Sequence, residues 1–134
     1  MNFEIQASSK RTKKFLEAIM PSIIEQLGLT RSKKCVLVSV SKNCDHSGLT
    51  IPLPGINGYF VGIKPSTRPG EVSRTLCHEM FHVAQMSKGI LRPTKGGNIW
   101  ANKFFTEKTP YMDRPWELQA FAMQEIIMRR ALEG

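Results

Sequence analysis

His78 and His82 stand four residues apart with Glu79 between them, in a segment whose apolar residues recur at helical spacing. This constrains the fold before it suggests a function: positions i and i+4 share a face only on an α-helix, so the two imidazoles meet at one point only if residues 70–88 are helical. Val72, Leu76, Met80, Val83 and Ala84 supply an apolar side for such a helix. Pro69 suits its first turn, Glu71 its positive end and Gly89 its stop. Two of the chain's three histidines sit here. Two imidazoles on one helical face can grip a single zinc ion, and a glutamate between them can reach a water molecule at that ion.

The rest of the sequence predicts an α+β order. Phe15, Leu16, Ile19, Met20, Ile23, Ile24 and Leu27 form a helical stripe over 10–27, which Pro21 should kink or divide and Gly28 should stop. Residues 35–40, short and β-branched, read as a buried strand, and 41–50 as a turn or loop. Pro52, Pro54 and Gly55 break regular structure. Residues 58–63 then form a strand whose two glycines and flanking prolines suit a sheet edge, where an extended peptide can pair by backbone hydrogen bonds. Residues 90–113 are loop-rich, with a turn at Gly96-Gly97 and a last strand over 99–105. A final helix should start near Asp113 as N-cap, tolerate Pro115 in its first turn, pack Trp116, Ala120, Met123, Ile127 and Ala131, and run almost to Gly134.

At 134 residues the chain is expected to form one domain over 1–134, burying roughly two thirds of its unfolded surface. No apolar run approaches the roughly 20 residues that span a bilayer, and the first residues lack the order of a signal peptide, so the expected location is the cytoplasm, away from membranes. Cys35, Cys44 and Cys77 are odd in number with no Cys-x-x-Cys pair, which argues for reduced thiols. Cys35 and Cys77 read as core, and Cys44-Asp45-His46 as a turn. The net charge of +8 is spread over both halves, +5 for 1–67 and +3 for 68–134. Such a balance admits a nucleic-acid partner. No recognised motif or aromatic pattern accompanies it, however, and solvated basic helix faces are the preferred reading.

A catalytic zinc normally takes three protein ligands. His-Glu-x-x-His-x-x-Gly-x-x-His would place a third histidine at 88, where Lys88 stands, and this excludes the metzincin arrangement. The remaining histidine is His46, in a predicted loop. Among the downstream acids Glu117 is best placed: it falls in the first turns of a second long helix, and Ala120 one turn later lets the two helices approach.

The motif His78-Glu79-Met80-Phe81-His82 and the later Trp116-Glu117-Leu118-Gln119-Ala120, with 34 residues between His82 and Glu117, together resemble the His-Glu-x-x-His … Glu-x-x-Ala arrangement of gluzincin-type zinc metallopeptidases, in a compact form like the small peptidases of phages and bacteria. The resemblance covers about residues 58–130. It implies a zincin-like domain with a small mixed sheet, the motif helix and a C-terminal helix packed on it. It also implies Zn2+ held by His78, His82 and Glu117, with His46 the next candidate, and a peptide or protein substrate. Glu79 would be the general base, and Tyr111 or Arg114, just before the Glu117 helix, a donor to the oxyanion. The larger members' second lobe has no room here. Two alternatives stay open: a DNA-associated protease similar to the SprT-like group, whose third ligand is a histidine, and a non-catalytic interaction domain that zinc only stabilises.

Overall fold

Four short strands with inward-facing branched side chains organise the fold, which the computed structural model describes over residues 1–133. β1 (Asn2–Ala7), β2 (Cys35–Val40), β3 (Gly48–Leu53) and β4 (Gly58–Ile63) form a mixed sheet in the order β1-β2-β4-β3. β1, β2 and β4 are parallel, and their register brings Ala7, Val40 and Ile63 to the same end. β3 runs antiparallel along the free side of β4.

Three helices complete the α+β architecture among the described residues: α1 (Lys10–Gln26), α2 (Glu71–Ser87) and α3 (Pro115–Glu133). Ile5, Val36, Val38, Tyr59, Val61 and Ile63 present one apolar face of the sheet. Against it pack Leu16, Met20 and Ile23 of α1, Leu76, Met80 and Val83 of α2, and Ile127, Met128 and Ala131 of α3. Each such aliphatic side chain stabilises the fold by about 1.5–3 kcal/mol on burial, so α2 is clamped between sheet and α3 and its polar face is fixed in direction. A second, antiparallel sheet of β5 (Leu91–Thr94), β6 (Gly97–Trp100) and β7 (Lys103–Thr106) joins α2 to α3. The Phe105 ring meets Trp116 edge to face with centroids 5.5 Å apart, which ties this sheet to the first turn of α3. No helix among the described residues is long and apolar enough to cross a membrane.

Several expectations from sequence are corrected. β4 lies inside the sheet, and the edge is β3, in a stretch that reads as loop and breakers. The glycines of β4 serve close approach: a Cβ on Gly58 would sit 2.4 Å from the Cys35 carbonyl oxygen. Pro52 is tolerated because β3 is an edge strand. Pro21 does not divide α1, since it stands on the exposed side, where water can meet the carbonyl it leaves unbonded. The single strand over 99–105 is two strands, split by a tight turn with Ala101 and Asn102 at positive φ. Asp113 ends a short 3-10 turn (Tyr111–Asp113) instead of capping α3, which starts at Pro115. The expected end of α3 near Gly134 lies outside the described residues.

Candidate metal centre

α2 places His78 and His82 one turn apart, with ring centroids 4.9 Å apart and nearly perpendicular planes. Glu117, in the first turn of α3, reaches between them: its Oε1 lies 2.9 Å from His78 Nε2 and 2.8 Å from His82 Nε2. All three side chains are largely withdrawn from solvent, with 12%, 7% and 16% of their surface exposed.

The other ring nitrogens decide what this convergence means. The Gln85 amide is oriented by two acceptors, its Nε2 donating to the Trp116 carbonyl at 3.0 Å and to Gln119 Oε1 at 2.9 Å. Its oxygen therefore faces His82 Nδ1, at 2.8 Å, and that nitrogen must be the donor. Gln124 Oε1 lies 2.7 Å from His78 Nδ1, where it can accept from that nitrogen. In a neutral His82 so arranged the Nε2 lone pair points at a carboxylate oxygen with no hydrogen between them, and the same holds for His78 when its Nδ1 is the donor to Gln124. Those contacts are attractive only with a cation at the point of convergence, either a proton or a metal ion.

Two imidazole nitrogens and a carboxylate oxygen are a donor set suited to zinc. The separations are those of hydrogen bonds. Neighbouring ligands of a tetrahedral zinc with bonds near 2.1 Å stand roughly 3.4 Å apart, so Glu117 must withdraw by about half an ångström to admit the ion. Among the described residues its only other side-chain hydrogen bond is from the Tyr111 hydroxyl at 3.3 Å, which leaves the side chain free to do so.

Two carboxylates compete for the third ligand position. The ligand atoms of His78, Glu79 and His82 lie within 4.8 Å of one another, and this is the one such cluster among the described residues. Glu79, however, has Oε1 2.7 Å from Thr50 Oγ1 on β3, whereas Glu117 touches both Nε2 atoms. Glu117 is thus the carboxylate that meets both imidazoles, and Glu79 lies beside it held by a hydroxyl. Burial raises the pKa of Glu79, and the neighbouring imidazoles and the Thr50 hydrogen bond only partly offset it. Burial also works against charge on His82 and Glu117 but is outweighed by their mutual contact, which raises His82 and, together with His78, holds Glu117 well below the usual carboxylate range.

These groups face a cavity of about 910 Å³. Tyr111 stands at its rim, where partial burial and the Glu117 carboxylate push the phenol up to about 12, so that it keeps its proton. Arg114 also lines the cavity, but its Nε is engaged by the Thr109 carbonyl at 2.9 Å. His46 lines the mouth from an exposed turn, outside the His78-Glu79-His82 cluster. In that turn the Cys44 thiol donates to the His46 carbonyl oxygen at 3.0 Å. Cys77 is buried in the core as expected, and Cys35 only partly so. Burial pushes the Cys77 thiol up to about 12, so it keeps its proton in the core.

Thr50, Gln85 and Gln124 are absent from the sequence-based candidates. Gln85 lies three residues after His82, and Gln124 seven after Glu117, both spacings that keep a helical face, so the signal was present. Thr50 had none, because its strand was hidden.

The chain matches no family model, no curated protein and no solved structure. Its function must be argued from the site.

Proposed function

We propose that this chain is a zinc-dependent metallopeptidase of gluzincin type, with His78, His82 and Glu117 as ligands and Glu79 as general base. The observation that carries the reading is the Glu117 oxygen between two Nε2 atoms whose partner nitrogens are committed to Gln85 and Gln124. A SprT-like site would need a histidine where that carboxylate stands.

Zinc bound there supplies Lewis acidity, polarising a substrate carbonyl and making water nucleophilic near neutral pH. The chain's own residues do the rest. Glu79 takes the proton of the attacking water and passes it to the leaving amine; its raised affinity for a proton suits both halves of that exchange. Thr50 occupies Oε1 and so presents Oε2 to the reaction. Tyr111, still protonated, donates to Glu117 at 3.3 Å and would turn that one proton to the oxyanion on leaving the carboxylate. β3 has no strand on its outer side, and Ser47 to Thr50 line the cavity, so an extended peptide can pair along that edge beside Glu79. Trp116, Leu91, Pro93 and Met86 give one end of the cavity apolar walls for a substrate side chain.

The test is mass-spectrometric detection of cleavage in a mixed peptide library by the zinc-loaded protein beside Glu79→Gln. The reading expects cleavage to fall by about 10²-fold or more in the variant with zinc retained. Equal cleavage by both proteins, or none by either, contradicts it, and the second result favours a fold that zinc merely stabilises.

A further inference from the structure

The charge that is spread along the sequence is gathered by the fold. β1, β2 and β4 end level, at Ala7, Val40 and Ile63, and the chain leaves them through residues 8–14, 41–47 and 64–70. These three segments hold Lys10, Arg11, Lys13, Lys14, Lys42, Lys64 and Arg68 against a single acid, Asp45, a net +6 out of the chain's +8. All seven cationic side chains are exposed, and none forms an ion pair among the described residues. The other twelve basic residues are nearly balanced by ten acids. Four of the seven occupy the first turns of α1, which has no acidic residue in its first turn, so folding brings them together against both their mutual repulsion and the helix dipole. That cost is relieved by an anion.

We propose that this end of the sheet binds the phosphate backbone of double-stranded nucleic acid, without reading sequence. The segments contain no Phe, Tyr, Trp, Leu, Ile, Val or Met. The rings at this surface are the exposed His46 and Phe15, directly after Lys14, fewer than the row on which successive single-stranded bases stack and no apolar face for insertion among lipids. The segments do offer further phosphate donors: Ser9, Ser41 and Ser66 each accept a backbone N–H through Oγ, so each hydroxyl proton remains free to donate outward. The surface does not depend on the metal site, and binding is expected whether or not the protein hydrolyses anything.

The test is fluorescence anisotropy of a labelled DNA duplex with the full chain, across about 50 to 200 mM salt. It uses two charge-matched triple variants, Lys42→Ser/Lys64→Ser/Arg68→Ser at the proposed surface and Arg31→Ser/Lys33→Ser/Arg129→Ser elsewhere, each checked for an unchanged melting temperature. The first variant should weaken binding by about ten-fold or more and flatten the slope of log K against log salt by about one unit for each phosphate no longer neutralised, while the second stays near wild type. Adding Lys10→Ser and Lys14→Ser to the first should weaken binding further. Equal losses in both triple variants would reduce the effect to overall basicity and overturn the proposal. So would absence of duplex binding by the wild type, or tighter surface-dependent binding to phosphatidylserine vesicles than to duplex.

Discussion

Gln85 Oε1 stands 2.8 Å from His82 Nδ1 while its Nε2 donates to the Trp116 carbonyl, so one amide both fixes the tautomer of His82, a proposed ligand, and anchors the turn of α3 that carries Glu117. Gln85 is 3% exposed, and no water can replace it without rearrangement. Gln85→Leu should cost about 1–3 kcal/mol for each buried group left unpaired and weaken zinc binding by about 10–100-fold. Chelator competition and thermal melting measure the two effects. Gln85→Glu keeps the acceptor for His82 and should retain more zinc affinity than stability. Unchanged affinity in the leucine variant would show that the tautomer is set elsewhere.

At Gly48 the backbone of β3 lies directly against α2. A Cβ there would lie 2.5 Å from Thr75 Cγ2 and 2.8 Å from Glu79 Oε2. Gly48→Ala should therefore displace Glu79, the proposed general base, lowering kcat by about ten-fold or more while zinc content stays at one ion per chain. Zinc lost together with activity would mean that β3 supports the ligands as well as the base.

The pH dependence of stability should differ in sign between the metal-free and zinc-loaded protein. His82 and Glu79 both have folded pKa values raised above their ordinary 6.5 and 4.5, so as pH rises past each ordinary value the folded chain keeps a proton that the unfolded chain releases. Stability of the metal-free form accordingly falls as pH rises through those raised values. The depressed Glu117 acts at the acid end, where its contribution is lost as pH falls below the ordinary 4.5. Zinc requires unprotonated imidazoles, so its stabilisation grows over the interval in which the metal-free form weakens. Melting curves from about pH 6 to 8 should show a widening gap between the two forms, and a narrowing gap would contradict the ligand set.

Cys77, beside His78 but fully buried, with its thiol pushed up to about 12, should resist iodoacetamide in the native protein at about pH 8, while the half-buried Cys35 and Cys44 react. Peptide mapping resolves the three sites. Rapid labelling of Cys77 would mean that α2 opens readily.

The helices were legible because their signals are local. The 3.6-residue stripe of α1, the stop at Gly28 and the His78-Glu79-His82 spacing survive in any tertiary context, and Glu117 is found by asking which acid a second helix could hold in place. The sheet was less legible. Pro52 and Gly48 read as breakers because a sequence does not state that a strand lies at an edge or that a glycine admits a neighbouring helix. The glycines of β4 suggested an edge for the same reason, when they serve close packing in the interior. Phe3 and Ile5 of β1 give too short an alternation to stand out without the parallel partner β2. Charge is even along the chain, and only the level ends of three parallel strands bring seven of the cationic residues to one end of the sheet.

The most direct measurement is metal content by elemental analysis of wild type, His46→Ala and Glu117→Ala, each purified with limiting zinc. One zinc per chain is expected in the first two proteins and a large loss in the third, because Glu117 Oε1 is the acceptor that both Nε2 atoms face. Full zinc in Glu117→Ala, or loss in His46→Ala instead, would contradict a centre built from His78, His82 and Glu117.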